Sequence, residues 1–154
     1  MSYSKELIEK LRNDNWGWSD IIINLRKSGK LIEALNILEQ QPEDGELLCE
    51  IGNIYKEGID VKKDYIKMMK YYMKSNKLGD SLVKIQIGEA YRDGLGVKQD
   101  GYKAIEWFQK AYEMGDVRGS ACLISRIYSI GEAGVPQNDQ LAMEWREKGT
   151  MGWY

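Results

Sequence analysis

The chain has 154 residues, 43% hydrophobic and 30% charged, with 22 Lys and Arg against 24 Asp and Glu for a net charge of −2. These values suit one soluble domain with enough apolar residues for a core, and they supply no overall field that attracts nucleic acid. Histidine is absent, which excludes histidine triads, imidazole acid-base catalysis and the common zinc sites. No apolar run approaches the ~20 residues that span a bilayer, and MSYSKELIEK lacks the apolar core of a secretory signal. The expected compartment is the cytoplasm, and no membrane association is expected.

In chain order, SKELIEKLR (4–12) forms a short amphipathic helix, NDNWGWSD interrupts it, and DIIINLRKSGKLIEALNILEQ folds as two short helices turning at Ser28-Gly29-Lys30. Leu31, Ala34, Leu35 and Leu38 form the packing stripe of the second. Gln41-Pro42 ends that hairpin, because proline disfavours helix in the residue before it.

Beyond this point the chain repeats itself. IGNIYKEGIDVKKDYIKMMKYYMKSNKLGD lies over IGEAYRDGLGVKQDGYKAIEWFQKAYEMGD without a gap at a shift of 36 residues. A less regular third copy, ISRIYSIGEAGVPQNDQLAMEWREKG, follows. Each copy reads as two helices, A and B. Gly52 and Gly88 leave room on helix A for a partner helix, with Ser125 as the smallest polar substitute. Gly58, Gly94 and Gly131 stop helix A as left-handed caps, and Asp64, Asp100 and Asn138 cap the first turn of helix B. Gly79-Asp80 and Gly115-Asp116 repeat the stop-and-cap arrangement between copies. Tyr55, Tyr91 and Tyr128, with Tyr71, Trp107 and Trp145, are assigned to the buried stripes.

The GLGV stretch at 94–97 is therefore punctuation and not a phosphate-binding loop. A dinucleotide fingerprint needs a third glycine where Gln99 stands and a strand where the preceding segment shows a helical stripe. The first copy also carries Asp60 in place of Gly96, and an aspartate is unsuited to a phosphate cradle.

An apolar residue then Gly, Tyr three further on, a GxGV-type loop, Asp, and KAxxWxxKAxxxG together resemble the Sel1-like repeat family, relatives of the tetratricopeptide repeats. The resemblance covers residues 46 to about 149, departing at Met68, Ser75, Ser125 and Leu141. It implies an all-α, right-handed α-solenoid of helix-turn-helix Sel1-like/tetratricopeptide-like repeats. Residues 1–154 are then one domain, with the N-terminal helix and degenerate hairpin at 1–43 and repeats at 44–79, 80–115 and 116–154. Some secreted members of the family staple each repeat with a disulfide, a branch associated with β-lactam binding. Here Cys49 and Cys122 are the sole cysteines, and two repeat steps separate their positions by about 20 Å, too far for a bond within one chain. Two free thiols imply a reducing environment.

No catalytic residue, metal site or cofactor is predicted. Glu89 and Asp93 lie one turn apart, but such spacing is ordinary on a helix surface and reads as ion pairing. Lys62, Lys63, Lys67, Lys70, Lys74 and Lys77 crowd the first helix B and its loop, and a solvated face is preferred there over RNA or membrane binding.

Binding remains. By the resemblance, helix A lines a concave face, which places Cys49, Asn53 and Lys56, then Ile85, Glu89 and Arg92, then Cys122, Arg126 and Ser129 in a groove. Asn53, Lys56, Arg92 and Arg126 are suited to clamp an acidic side chain or chain terminus, with Ile85 as an apolar floor. Trp16, Trp18, Trp153 and Tyr154 form a competing aromatic surface, which either covers the last hairpin or meets a partner. The expected function is a protein-binding module, an inhibitor or immunity-type protein that neutralises one dedicated partner such as a toxin effector domain. The alternative is an adaptor for peptide segments, and a monomer or weak homodimer is expected.

Overall fold

Among the described residues of the computed structural model, 3–41 and 44–151, there are nine α-helices and no strand. The chain divides into two compact units at the Gly79-Asp80 repeat boundary, Met1–Gly79 and Asp80–Tyr154. The first holds α1 (Tyr3–Asn13), α2 (Trp18–Lys27), α3 (Leu31–Glu39), α4 (Gly45–Glu57) and α5 (Tyr65–Lys77). The second holds α6 (Val83–Asp93), α7 (Gly101–Glu113), α8 (Val117–Ile130) and α9 (Asp139–Thr150).

Three A–B hairpins, α4–α5, α6–α7 and α8–α9, share one local chemistry. Gly58, Gly94 and Gly131 take φ of 63°, 69° and 68°, closing each helix A in the left-handed region where a Cβ is costly. The chain then returns so that the N–H of Asp64, Asp100 or Asn138 donates to the carbonyl of Tyr55, Tyr91 or Tyr128, at 3.0, 2.8 and 2.8 Å. The same three residues cap helix B by accepting from backbone N–H groups in its first turn. Both expectations for these positions hold.

The boundaries between repeats are less uniform than the sequence suggests. Asp80 Oδ1 accepts from the Leu82 N–H at 3.0 Å, whereas Asp116 makes no such backbone contact and accepts from the Ser120 hydroxyl at 2.8 Å.

In the first unit, Leu31, Ala34, Leu35 and Leu38 are buried as expected, with α3 packed on α1, α2 and α4. The helix-A glycines do accommodate a partner helix, and the ring they receive is the neighbour of the one assigned to the buried stripe. A Cβ on Gly52 would lie 2.5 Å from the Tyr72 ring, and one on Gly88 would overlap the Phe108 ring equally closely. Tyr72 and Phe108 are fully buried, while their neighbours Tyr71 and Trp107 are only half-buried. In the third hairpin the equivalent of Phe108 is Arg146, which is exposed; Ser125 replaces the glycine and its hydroxyl donates to the Ala142 carbonyl at 2.7 Å. Removing the ring makes room for the serine. Gly101 supplies a further close approach: its N–H donates to Ala133, and a Cβ there would meet Val135 at 2.6 Å.

Candidate functional site

The rings of Tyr71 and Trp107, half-buried, and of Trp145, buried, have a regular companion. Lys74 lies over Tyr71, Lys110 over Trp107 and Lys148 over Trp145, one turn along helix B, at 5.9, 4.2 and 4.2 Å from the ring centroids. Lys67 and Lys103 reach across from helix B to Tyr55 and Tyr91 of helix A. The repeated lysines therefore shield repeated rings through cation–π contact, and three of the six crowded lysines, Lys63, Lys67 and Lys74, are engaged this way. In the first unit Tyr55 and Tyr71 stack at 5.9 Å, and both hydroxyls donate to Glu39 Oε1, at 2.9 and 2.8 Å. Burial and the bond to Glu39 push the Tyr55 hydroxyl up to about 12 and raise Tyr71 as well.

The predicted concave residues meet different fates. Asn53 is half-buried and its Oδ1 accepts from the Tyr72 hydroxyl at 2.6 Å, so it braces the core ring of its own hairpin. Lys56 is half-buried on the same helix. In the second unit, Ile85 lines a cavity of about 630 Å³ with Leu82, Met114 and Leu123, and Glu89 is half-buried on α6.

Arg92 needs a correction. Its side chain is only 15% exposed, and its guanidinium donates twice to Asp93, at 2.8 and 2.9 Å. The hydrogen bond to Asp93 is the main cause of its raised pKa, and Glu132 adds to it from 4.0 Å. Arg92 is thus held in an internal ion pair and does not present a free fork to a partner. Arg126 shares Glu132, at 3.9 Å, but its side chain stays 63% exposed.

Arg126 and Ser129 come together in a cavity of about 840 Å³ on the α8–α9 hairpin, where Arg118, Cys122, Ser125 and Arg146 also line the wall. Among the described residues lining it there is no carboxylate, and Ile130 supplies an apolar portion. Arg118 and Arg146 did not figure in the sequence reading. The signal for Arg146 was available, since it occupies the Phe108 position of the third copy.

Trp18 also differs from expectation. It is 4% exposed, with Arg12 4.5 Å over its ring and its backbone N–H donating to Glu46 at 3.0 Å, so it is core and not surface. Trp16 is partly exposed. Trp153 and Tyr154, and Pro42 of the hairpin end, lie outside the described residues. Cys49 is buried and Cys122 exposed, both as free thiols. Among the described residues no group of three or more acidic or cysteine side chains is arranged to hold a metal, and no helix is long and apolar enough to cross a membrane.

Paired helices joined by glycine-capped turns, with capped second helices, define a helical-repeat protein. The Sel1 repeat profile matches residues 46–80, 84–116 and 120–150, and the chain belongs to that family. Proteins of this kind are generally non-enzymatic interaction modules.

Two solved structures show the same all-α repeat solenoid fold. A Sel1 repeat protein from Oxalobacter formigenes aligns with a TM-score of 0.65 at 23% identity, over 82% of this chain and 52% of that one. A protective antigen present in uropathogenic Escherichia coli strains displaying an SLR fold aligns at 0.64 and 23% identity, over 97% of this chain and 30% of that one. The chain thus spans about half of the first protein and under a third of the second. Among curated proteins none matches this sequence significantly.

Proposed function

We propose that this protein-binding module is an immunity-type inhibitor, acting in the cytoplasm by occluding one dedicated protein partner such as the effector domain of a bacterial toxin. The observation that carries the reading is the open, arginine-bearing α8–α9 cavity, where Arg126 and Ser129 of the predicted binding face remain available. Other polar candidates serve the fold: Asn53 holds Tyr72 and Arg92 holds Asp93. Residues left over from structural duty are the ones a partner can use, and they converge on one hairpin. A localised site of this kind suits a single folded partner better than a row of peptide clients.

The reading is tested by affinity capture from the native cell, followed by purification of the complex. The expected result is one stoichiometric folded partner whose own activity is suppressed by the purified chain. Many substoichiometric clients sharing a short sequence motif would overturn the inhibitor in favour of the adaptor.

A further inference from the structure

We infer that the α8–α9 cavity receives an acidic peptide segment of the protein partner, with Arg126 and Arg146 reading its carboxylates; the inference rests on the protein-binding function proposed above. It starts from one position in the repeat. Tyr72 in α5 and Phe108 in α7 are fully buried rings seated on helix-A glycines. The same place in α9 carries Arg146, and the serine that replaces the glycine satisfies itself on the Ala142 carbonyl. The hairpin closes without the ring, and both Ser125 and Arg146 line the cavity.

A solvated hairpin surface requires only polar side chains, and mixed charges would serve. Here the charged residues lining the cavity are arginines alone, Arg118, Arg126 and Arg146. Arg146 makes no ion pair among the described residues, and Arg126 has only Glu132 at 3.9 Å. Their planar forks match carboxylate geometry. The volume, about 840 Å³, far exceeds that of a single small anion and holds several side chains. Ile130 and the Ser129 hydroxyl add the apolar and neutral contacts that a peptide uses and a bare anion does not. With a net charge of −2 the chain lacks the broad positive field that would favour a nucleic acid backbone.

Cys122 makes the site observable, because it is exposed in the cavity wall while Cys49 is buried. The experiment measures the rate of maleimide labelling at Cys122 in the full chain with hexaglutamate, hexaglutamine or inorganic phosphate at matched ionic strength. Hexaglutamate is expected to slow labelling, hexaglutamine and phosphate to leave it unchanged, and added salt to erase the protection. Arg126→Gln with Arg146→Gln should weaken protection about tenfold, as the loss of two exposed ion pairs implies; Arg146→Lys, which keeps the charge and loses the fork, should fall between. Circular dichroism confirms that each variant keeps its helices. Protection that is absent, equal with hexaglutamine or phosphate, or unchanged in the double variant would overturn the inference. A captured partner that still binds the double variant as tightly as the parent would likewise remove the cavity while leaving the inhibitor function standing.

Discussion

In the second repeat Phe108 is fully buried on Gly88; in the third, Arg146 reaches the surface beside Ser125, although both hairpins share the same left-handed glycine, tyrosine carbonyl and helix-B cap. The caps and the loop return fix the hairpin in each case. The ring contributes packing between helices, and its position can be released for another use once the glycine is also changed. The paired difference at these two positions, Gly to Ser and Phe to Arg, thus replaces a packing site with part of a cavity wall.

The largest test of this contrast is Phe108→Ala against Arg146→Ala. Emptying the Phe108 site should cost about 3–5 kcal/mol, while the Arg146 change should stay within about 0.5 kcal/mol, both read by urea unfolding. Similar losses at the two sites would break the comparison. Next, Gly88→Val should cost about 2–3 kcal/mol by forcing side-chain atoms into the Phe108 ring, whereas Ser125→Ala should cost about 1 kcal/mol for the lost bond to Ala142.

Equal caps predict equal penalties: Asp100→Ala and Asn138→Ala should each lower stability by about 1 kcal/mol. A large difference in thermal melting would show that the two turns are not equivalent. The smallest effect distinguishes the first repeat, where Glu39 holds two tyrosine hydroxyls. Folding raises Tyr55 from its ordinary value of 10.0 to about 12, so the stability from its neutral hydroxyl is fully present below about pH 10 and is lost as pH rises through about 12. Tyr71 shifts in the same direction. Tyrosinate absorbance should show delayed ionisation of this pair, and Glu39→Gln should weaken the delay.

Local chemistry made much of the fold legible. Gly58, Gly94, Gly131, Asp64, Asp100 and Asn138 announce their roles because turns and caps depend on residues a few positions apart. The core ring was harder. Tyr71-Tyr72 and Trp107-Phe108 are adjacent aromatics, and helical periodicity alone does not decide which of two neighbours faces the glycine; the lysine one turn beyond Tyr71 and Trp107 marks those as the outer pair.

At the candidate site, Arg126 and Ser129 follow from repeat register, since each sits on a surface the register exposes. Arg92 was misread because its fork is taken up by the adjacent Asp93, a pairing that helical spacing does not report, with Glu132 of the next hairpin's loop adding to it from 4.0 Å. Trp18 was misread for a similar reason. Its burial depends on Arg12 and Glu46 from different helices, whereas the surrounding glycine and polar residues resemble an exposed loop.

The Gly-Asp boundaries, 36 residues apart, carry a consequence for how such a chain changes length. Unequal crossover between Gly79-Asp80 and Gly115-Asp116 would duplicate or delete one unit in frame, with its glycine stop, tyrosine carbonyl and helix-B cap intact. A duplication of the third unit would instead add a second arginine where the first two units bury a ring. A unit copied from the first two repeats therefore brings a buried ring with it, and one copied from the third brings the arginine.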